Sequence, residues 1–124
     1  MPATSPCCRA VVVDDHASVR ASVARLLTRA GFSVVGTACD GHEAIALTEQ
    51  LMPDVVVMDL AMPGLDGVEA TRSLRARGIA AAIVALTAST PLAARALEAG
   101  VHACVFKDAP PSELIAAVHA ATAA

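Results

Sequence analysis

Four charged residues each stand at the end of a short apolar run, where their side chains could share one site. Asp14 and Asp15 follow the run AVVV, and Asp59 ends the run VVVMD. Lys107 ends ACVFK, and Thr87 ends the apolar run IVALT. A charge beside a buried strand is costly unless it has partners. Because the carboxyl ends of parallel strands meet at one edge of a sheet, we expect these side chains to converge in one pocket.

The types of these residues indicate binding of a metal ion and a phosphoryl group. Clustered carboxylates repel one another and therefore need a cation. The candidate ligands are all oxygens, without cysteine or histidine, and such hard donors favour Mg²⁺. Lys107 is the only lysine in the chain, and its ammonium is a compact point charge. Together with the hydroxyl of Thr87 it is suited to holding a phosphoryl group.

Five apolar runs alternate with five segments of helical periodicity. The predicted strands are 10–14, 32–38, 55–59, 79–87 and 103–107. The predicted helices are about 19–30, 40–50, 68–77, 91–99 and 112–121, with Asp40 as an N-cap and glycines ending several of them. The runs are continuously apolar, which is typical of a parallel sheet covered by helices on both faces. We expect one α/β domain over 10–124, preceded by a disordered leader over 1–9.

Composition limits the classes of protein that are possible. The chain has 124 residues, 56% of them hydrophobic but only 2% aromatic, and a net charge of −3. This size fits one domain with an aliphatic core, and the charge argues against a nucleic-acid-binding surface. No apolar run reaches the roughly 18 residues of a membrane span, and the N-terminus lacks the plan of a signal peptide. We therefore expect a cytoplasmic protein, without membrane contact, whose four cysteines are free thiols.

Four motifs together resemble the receiver domain of two-component response regulators. They are VVVDDH (11–16), PDVVVMDLAMPGLDGVE (53–69), IVALTA (83–88) and VFKD (105–108). The resemblance extends from about Ala10 to Ala121. The opening DDH and the tail KDAPPSELIAAV are most similar to the subfamily that has a C-terminal helix-turn-helix output domain. The resemblance implies a flavodoxin-like (βα)5 three-layer sandwich with a parallel sheet of order 2-1-3-4-5.

The family also implies a role for each acidic residue. Asp59 would be the phosphoacceptor, receiving a phosphoryl group from a phosphohistidine of a sensor histidine kinase. Asp15 and Asp59, with the backbone carbonyl of Ala61, would bind Mg²⁺ directly. Asp14 would act mainly through metal-bound water. Apart from its own phosphorylation and dephosphorylation, such a domain is not an enzyme.

The remaining implied roles concern charge neutralisation and signalling. Lys107 would pair with Asp59 and then with the phosphoryl group, Thr87 would be the switch hydroxyl, and Gly67 would support the loop after the third strand. The output is expected to be a conformational signal in transcriptional regulation. DNA would be bound only through an output domain that this chain lacks, and the formation of a homodimer stays open.

Three departures from the family pattern affect the expected switch. Many receivers have Tyr or Phe three residues before the lysine, where this chain has Cys104, and Phe106 does not replace that ring because it is adjacent to Lys107. The residues at the positions that can orient a hydrolytic water, Ala61 and Ser89, are both small. We therefore expect a weakened conformational relay and no fast self-dephosphorylation.

Other functions stay open from the sequence. A haloacid-dehalogenase-type phosphatase would need a second acid where Ala61 stands. A flavodoxin-like FMN binder would need a Gly/Ser/Thr-rich loop after the first strand and aromatic rings. A pseudo-receiver would act as an interaction module without phosphorylation. On the first helix, Arg20, Arg25 and Arg29 form either a partner surface or an ordinary solvated face.

Overall fold

Five strands and five helices alternate along the chain. The structure is a computed structural model that describes residues 8–123. The strands are β1 (Arg9–Val13), β2 (Ser33–Ala38), β3 (Val55–Asp59), β4 (Ala82–Thr87) and β5 (Ala103–Phe106). The helices are α1 (Ala17–Arg29), α2 (Gly41–Leu51), α3 (Gly67–Ala76), α4 (Thr90–Ala99) and α5 (Pro111–Thr122).

The strands form one parallel sheet in the order β2-β1-β3-β4-β5. This confirms the predicted flavodoxin-like topology. Helices α2, α3 and α4 pack on one face of the sheet, and α1 and α5 pack on the other. The result is the expected three-layer sandwich.

The composition of β3 follows from its central place in the sheet. Val55 and Val57 belong to the core on the α1/α5 face, and Val56 and Met58 belong to the core on the opposite face. All four residues are fully buried. A strand covered on both faces must be apolar at every position, which is the pattern seen in the sequence. Asp59 continues this strand and shares its complete burial.

The predicted start of the fourth strand was wrong by three residues. The segment 79–81 is a connection, and β4 begins at Ala82. The backbone N–H of Ile79 donates to the carbonyl of Leu74. The guanidinium of Arg75 donates to the carbonyls of Ile79 and Ala81, at 2.7 and 2.9 Å. These apolar residues thus have hydrogen-bonding partners outside the sheet.

The leader predicted over 1–9 was also wrong at its end, because Arg9 is the first residue of β1. Its backbone N–H donates to the carboxylate of Asp54 at 2.7 Å, and its guanidinium donates to the carbonyls of Leu51 and Met52. Residues 1–7 of that prediction lie outside the described residues. The other element ends differ from the predictions by only a few residues, as with β5, which stops before Lys107.

Side-chain caps fix the start of the helices that border the pocket. Asp66 accepts from the N–H of Glu69 at 2.9 Å and begins α3, and Ser89 accepts from the N–H of Leu92 and begins α4. The predicted cap of α2, Asp40, is confirmed by its bond from Glu43. Such caps satisfy N–H groups that a helix cannot satisfy itself.

Two further sequence expectations can be compared with the described residues. Cys8, Cys39 and Cys104 are free thiols, while Cys7 lies outside that part of the chain. Within residues 8–123, the search for a helix with the length and apolarity to cross a bilayer finds no candidate.

Candidate functional site

The structure brings the three predicted carboxylates together at the carboxyl edge of the sheet. Asp14 and Asp15 follow β1, and Asp59 ends the neighbouring strand β3. One ligand atom from each of these residues and one from His16 all lie within 4.8 Å of one another. Asp14 and Asp59 are almost inaccessible, with 1% and 0% relative exposure. A buried cluster of like charges of this kind needs a counter-charge.

The Asp59 carboxylate has two different environments at its two oxygens. Oδ1 accepts a hydrogen bond from the N–H of Ala61 at 3.2 Å. Oδ2 forms an ion pair with the ammonium of Lys107 at 3.1 Å. Burial raises the pKa of Asp59, against the lowering effect of Lys107 and of the Ala61 N–H. The single ammonium therefore does not fully offset the cost of burying this charge.

Asp14 is fixed through its backbone and through one carboxylate oxygen. Its N–H donates to the carbonyl of Ala38, and its own carbonyl accepts from the guanidinium of Arg20 at 2.7 Å. Its Oδ1 accepts from the N–H of His16 at 2.8 Å. These contacts hold the acidic loop between β1, β2 and α1.

The donor set fits a hard divalent cation. Within residues 8–123, the buried oxygens Asp14 Oδ2 and Asp15 Oδ1 accept no hydrogen bond, and Asp59 Oδ2 is paired with Lys107. A buried polar atom without a partner is costly, and a cation bound between the carboxylates would remove that cost. The peptide of Ala61 borders the cluster through its N–H, whereas metal binding by its carbonyl stays a prediction.

Thr87 and Lys107 are adjacent at the ends of β4 and β5. The backbone N–H of Lys107 donates to the carbonyl of Thr87 at 3.0 Å. The Thr87 side chain is buried, and its Oγ1 accepts from the N–H of Ser89 at 3.0 Å. The hydroxyl is thus bound within its own loop, immediately before the first turn of α4.

Gly67 allows α3 to start directly beneath the end of β3. A Cβ atom at this position would lie 2.6 Å from the carbonyl oxygen of Asp59 and 2.8 Å from the Cα of Leu60. Both neighbours are backbone atoms of the loop that presents Asp59, so they have little freedom to move aside. The packing agrees with the supporting role that the family resemblance implied for this glycine.

His16 is the residue that the sequence analysis missed. Its Nδ1 lies 3.3 Å from Asp15 Oδ1 and 3.5 Å from Asp14 Oδ1. The sequence analysis expected metal ligands without histidine, and the structure places His16 beside the three acids. The available signal was the position of His16 immediately after two acids at a strand end, together with the affinity of imidazole for metals.

Cys104 contacts α4 directly. Its thiol lies 3.5 Å from the carbonyl of Ala93 in a weak S–H···O hydrogen bond. Burial raises the pKa of this thiol, which favours the protonated form that donates. A small side chain at this position thus still links β5 to α4.

The three arginines of α1 do not form one surface. Arg20 points back to the acidic loop and bonds Asp14, as described above. Arg25 and Arg29 instead line a groove of about 520 Å³ between α1 and the start of α5, together with Lys107 and Phe106. Whether this face meets a partner stays a prediction.

The fold and the acidic pocket define a class of protein, and comparison with known families agrees with it. The model of the response regulator receiver domain matches residues 10–119, and the chain belongs to this family. The predicted family, including its similarity to regulators with helix-turn-helix output domains, is confirmed. Receiver domains bind Mg²⁺ at an acidic pocket and accept phosphoryl groups from histidine kinases.

Three relatives illustrate the similarity. The chain is 39% identical over 115 residues to the transcriptional regulatory protein PdtaR of Mycobacterium tuberculosis, covering 91% of this chain and 56% of PdtaR. It is 35% identical over 116 residues to the nitrate/nitrite response regulator NarL of Escherichia coli K12, covering 91% and 54%. The crystal structure of a LuxR-family two-component response regulator from Aurantimonas has a TM-score of 0.88 and 42% identity, covering 93% of this chain and 84% of that one. The chain spans about half the length of the curated relatives it matches.

Proposed function

We propose that this chain accepts a phosphoryl group on Asp59 from a phosphohistidine of a sensor histidine kinase, in a Mg²⁺-dependent reaction. The observation that supports this most is the fully buried Asp59 carboxylate at the end of β3, with the Lys107 ammonium at 3.1 Å and the acidic pair after β1 within ligand distance. The receiver unit is proposed to run from β1 through α5, with residues before β1 as a leader.

The proposed step is a transfer between two nucleophiles. A carboxylate oxygen of Asp59 attacks phosphorus, the P–N bond to the donor imidazole breaks, and an acyl phosphate forms. The ammonium of Lys107 offsets negative charge on the transferring group, and it stands ready because it already pairs with Asp59. Asp14, Asp15 and Asp59, with the Ala61 carbonyl, would hold Mg²⁺, which supplies further charge neutralisation when bound.

The relay is proposed to begin at Thr87. Its hydroxyl is bonded to the backbone of Ser89, the N-cap of α4. If the hydroxyl turns to a phosphoryl oxygen on Asp59, the bond to Ser89 is lost and the first turn of α4 loses a support. The result is a shift in population between two arrangements of the face formed by α4, β5 and α5.

The chain is proposed to catalyse only its own phosphorylation and a slow dephosphorylation. Ala61 and Ser89 are small and offer no side-chain group that orients a water strongly. By analogy with the relatives named as transcriptional regulators, the signal is proposed to act on transcription. Any contact with DNA is proposed to belong to an output domain of a cytoplasmic regulator.

Intact-mass spectrometry after treatment with acetyl phosphate tests this function. The wild type should gain one phosphoryl group with Mg²⁺ and none in chelator. Asp59→Asn should not be labelled, whereas Asp108→Asn, an equal substitution at an exposed aspartate beside Lys107, should be labelled normally. Equal labelling of Asp59→Asn would reject Asp59 as the acceptor. No labelling of the wild type with Mg²⁺ would favour a pseudo-receiver.

A further inference from the structure

We infer that His16 is an additional, nitrogen ligand of the acidic cluster, so that this site takes borderline transition-metal ions such as Co²⁺ as well as Mg²⁺. The inference rests on the proposed metal-binding role of Asp14, Asp15 and Asp59. It adds a donor of a different chemical class to that set. Imidazole suits Co²⁺, Ni²⁺ and Zn²⁺, whereas Mg²⁺ prefers oxygen.

The distances permit a shared ion. His16 Nδ1 is 3.3 Å from one acid and 3.5 Å from the other, and the four ligand atoms lie within 4.8 Å of one another. Ligands bound to one ion at roughly 2.0–2.2 Å are about 3 Å apart when adjacent and little more than 4 Å apart when opposite. The histidine distances therefore need only small adjustments. A pair at the 4.8 Å limit would have to close by several tenths of an ångström.

The ring of His16 is not used as a helix cap and is therefore able to bind a metal ion. His16 is the N-cap of α1, a position where a side chain usually accepts an N–H from the first turn, but its ring makes no such bond. The side chain is 67% exposed, so it can rotate without disturbing the core. Its backbone is fixed, because the N–H donates to Asp14 Oδ1. The ring is therefore anchored beside the acids and mobile only about its own side-chain bonds.

A second observation indicates that a cation belongs beside the ring. Asp14 Oδ2 and Asp15 Oδ1 are buried and accept no hydrogen bond among residues 8–123. Both atoms are shielded from bulk water, which therefore does not replace the missing partners. A cation bound to both oxygens would satisfy them, and Asp15 Oδ1 lies 3.3 Å from His16 Nδ1.

The alternative is that the imidazole is only a hydrogen-bond donor to Asp15. The two arrangements make opposite predictions for removal of the ring. If His16 is a ligand, His16→Ala weakens Co²⁺ binding much more than Mg²⁺ binding. If the ring only donates to the carboxylate, it competes with any metal, and its removal leaves binding of both ions unchanged or strengthens both alike.

The experiment measures Kd for Co²⁺ by visible absorption and for Mg²⁺ by competition, in a mildly alkaline buffer in which imidazole is neutral. The variants are His16→Ala, Asp15→Asn and a control, His42→Ala, which removes an exposed imidazole from the first turn of α2. We expect His16→Ala to weaken Co²⁺ binding by about tenfold or more, to change Mg²⁺ binding by less than about threefold, and to alter the Co²⁺ spectrum. His42→Ala should change neither affinity.

The outcomes separate this inference from the proposed function. If Asp15→Asn weakens both ions while His16→Ala has no selective effect on Co²⁺, the acidic site stands and the role of His16 is rejected. If Asp15→Asn leaves both affinities unchanged, the acidic cluster is not the metal site and both proposals fail. An equal loss of Co²⁺ binding in His42→Ala would show adventitious binding by surface imidazoles and would also reject the role of His16.

Discussion

Replacing the buried Asp59 by asparagine should stabilise the metal-free protein. Asn has nearly the same shape, so the substitution mainly removes a charge. Asp59 is fully buried, and the ligand atoms of Asp14 and Asp15 lie within 4.8 Å of its carboxylate. At an effective dielectric constant of about 20, each such pair repels by roughly 3 kcal/mol. The ion pair with Lys107 at 3.1 Å opposes this with about 5 kcal/mol.

The repulsion from Asp14 and Asp15 and the attraction of Lys107 nearly cancel. Two further effects then make Asp59→Asn more stable than the wild type. Lys107 has a side chain that is 34% exposed, so water and salt screen its attraction. Burial of the carboxylate also costs free energy, which agrees with the raised pKa of Asp59. We expect Asp59→Asn to raise the free energy of unfolding in chelator by about 1–3 kcal/mol. Each kcal/mol should correspond to an increase of roughly 3–6 °C in Tm.

The dependence on pH and Mg²⁺ sharpens the test. A raised pKa means that the ionised carboxyl disfavours the folded state, so wild-type stability should decrease as pH rises through the folded-state pKa, above the usual aspartate value of about 3.9. The stability of Asp59→Asn should lack this decrease with rising pH. Saturating Mg²⁺ should stabilise the wild type more than the variant, by mass action.

Urea unfolding in chelator measures the effect, with Asp108→Asn as the control because it removes an exposed carboxylate. The control should change the free energy of unfolding by less than about 0.5 kcal/mol. If Asp59→Asn is less stable than the wild type in chelator, the Lys107 ion pair outweighs repulsion and burial, and the electrostatic account of the pocket is wrong. If Asp59→Asn and Asp108→Asn raise the free energy of unfolding equally, the effect comes from the net charge of the protein and not from the pocket.

Three further predictions concern packing and signalling. Arg75→Ala should lower the free energy of unfolding by about 2–4 kcal/mol in urea titrations, because the guanidinium of Arg75 donates to three backbone carbonyls. The control is Arg72→Ala, which removes an exposed ion pair, and an equally small loss of stability in both variants would contradict this prediction. Gly67→Ala should lower the free energy of unfolding by about 1–3 kcal/mol or more, since the added Cβ would lie 2.6 Å from the carbonyl oxygen of Asp59. An unchanged midpoint of urea unfolding would show that the loop after β3 moves aside easily. Cys104→Tyr should enlarge the amide NMR shifts that beryllofluoride induces in α4 and β5 while leaving the rate of phosphorylation nearly unchanged. A large wild-type response that this substitution does not alter would place the relay elsewhere.

The order of elements was predictable because it depends on local patterns. Continuous apolar runs, helical periodicity and capping residues such as Asp40 each act over a few positions. The convergence of Asp59 with Asp14 followed from one additional rule, that parallel strands share a carboxyl edge. The errors occurred where partners distant in sequence decide the structure. Arg9 joins β1 through contacts with residues more than 40 positions away.

The start of β4 shows the same limit in another form. Residues 79–81 are as apolar as a strand, but their carbonyls at 79 and 81 bond to the side chain of Arg75. Hydropathy contains no information about which donor will reach a given carbonyl. The His16 ring was missed although its position after two acids was a signal, because the residue before a helix is usually judged as a cap and not by where its side chain points.

The aliphatic core gives this protein an unusual optical property. With no tryptophan or tyrosine and only two phenylalanines, the chain absorbs and emits almost nothing at the wavelengths used for protein fluorescence. One of those rings, Phe106, is 40% exposed and adjacent in sequence to Lys107. Phe106→Trp would introduce the only tryptophan of the chain, in the groove that Lys107 also lines. We expect its emission to respond to ion binding and phosphorylation through Lys107, with almost no background from the rest of the chain.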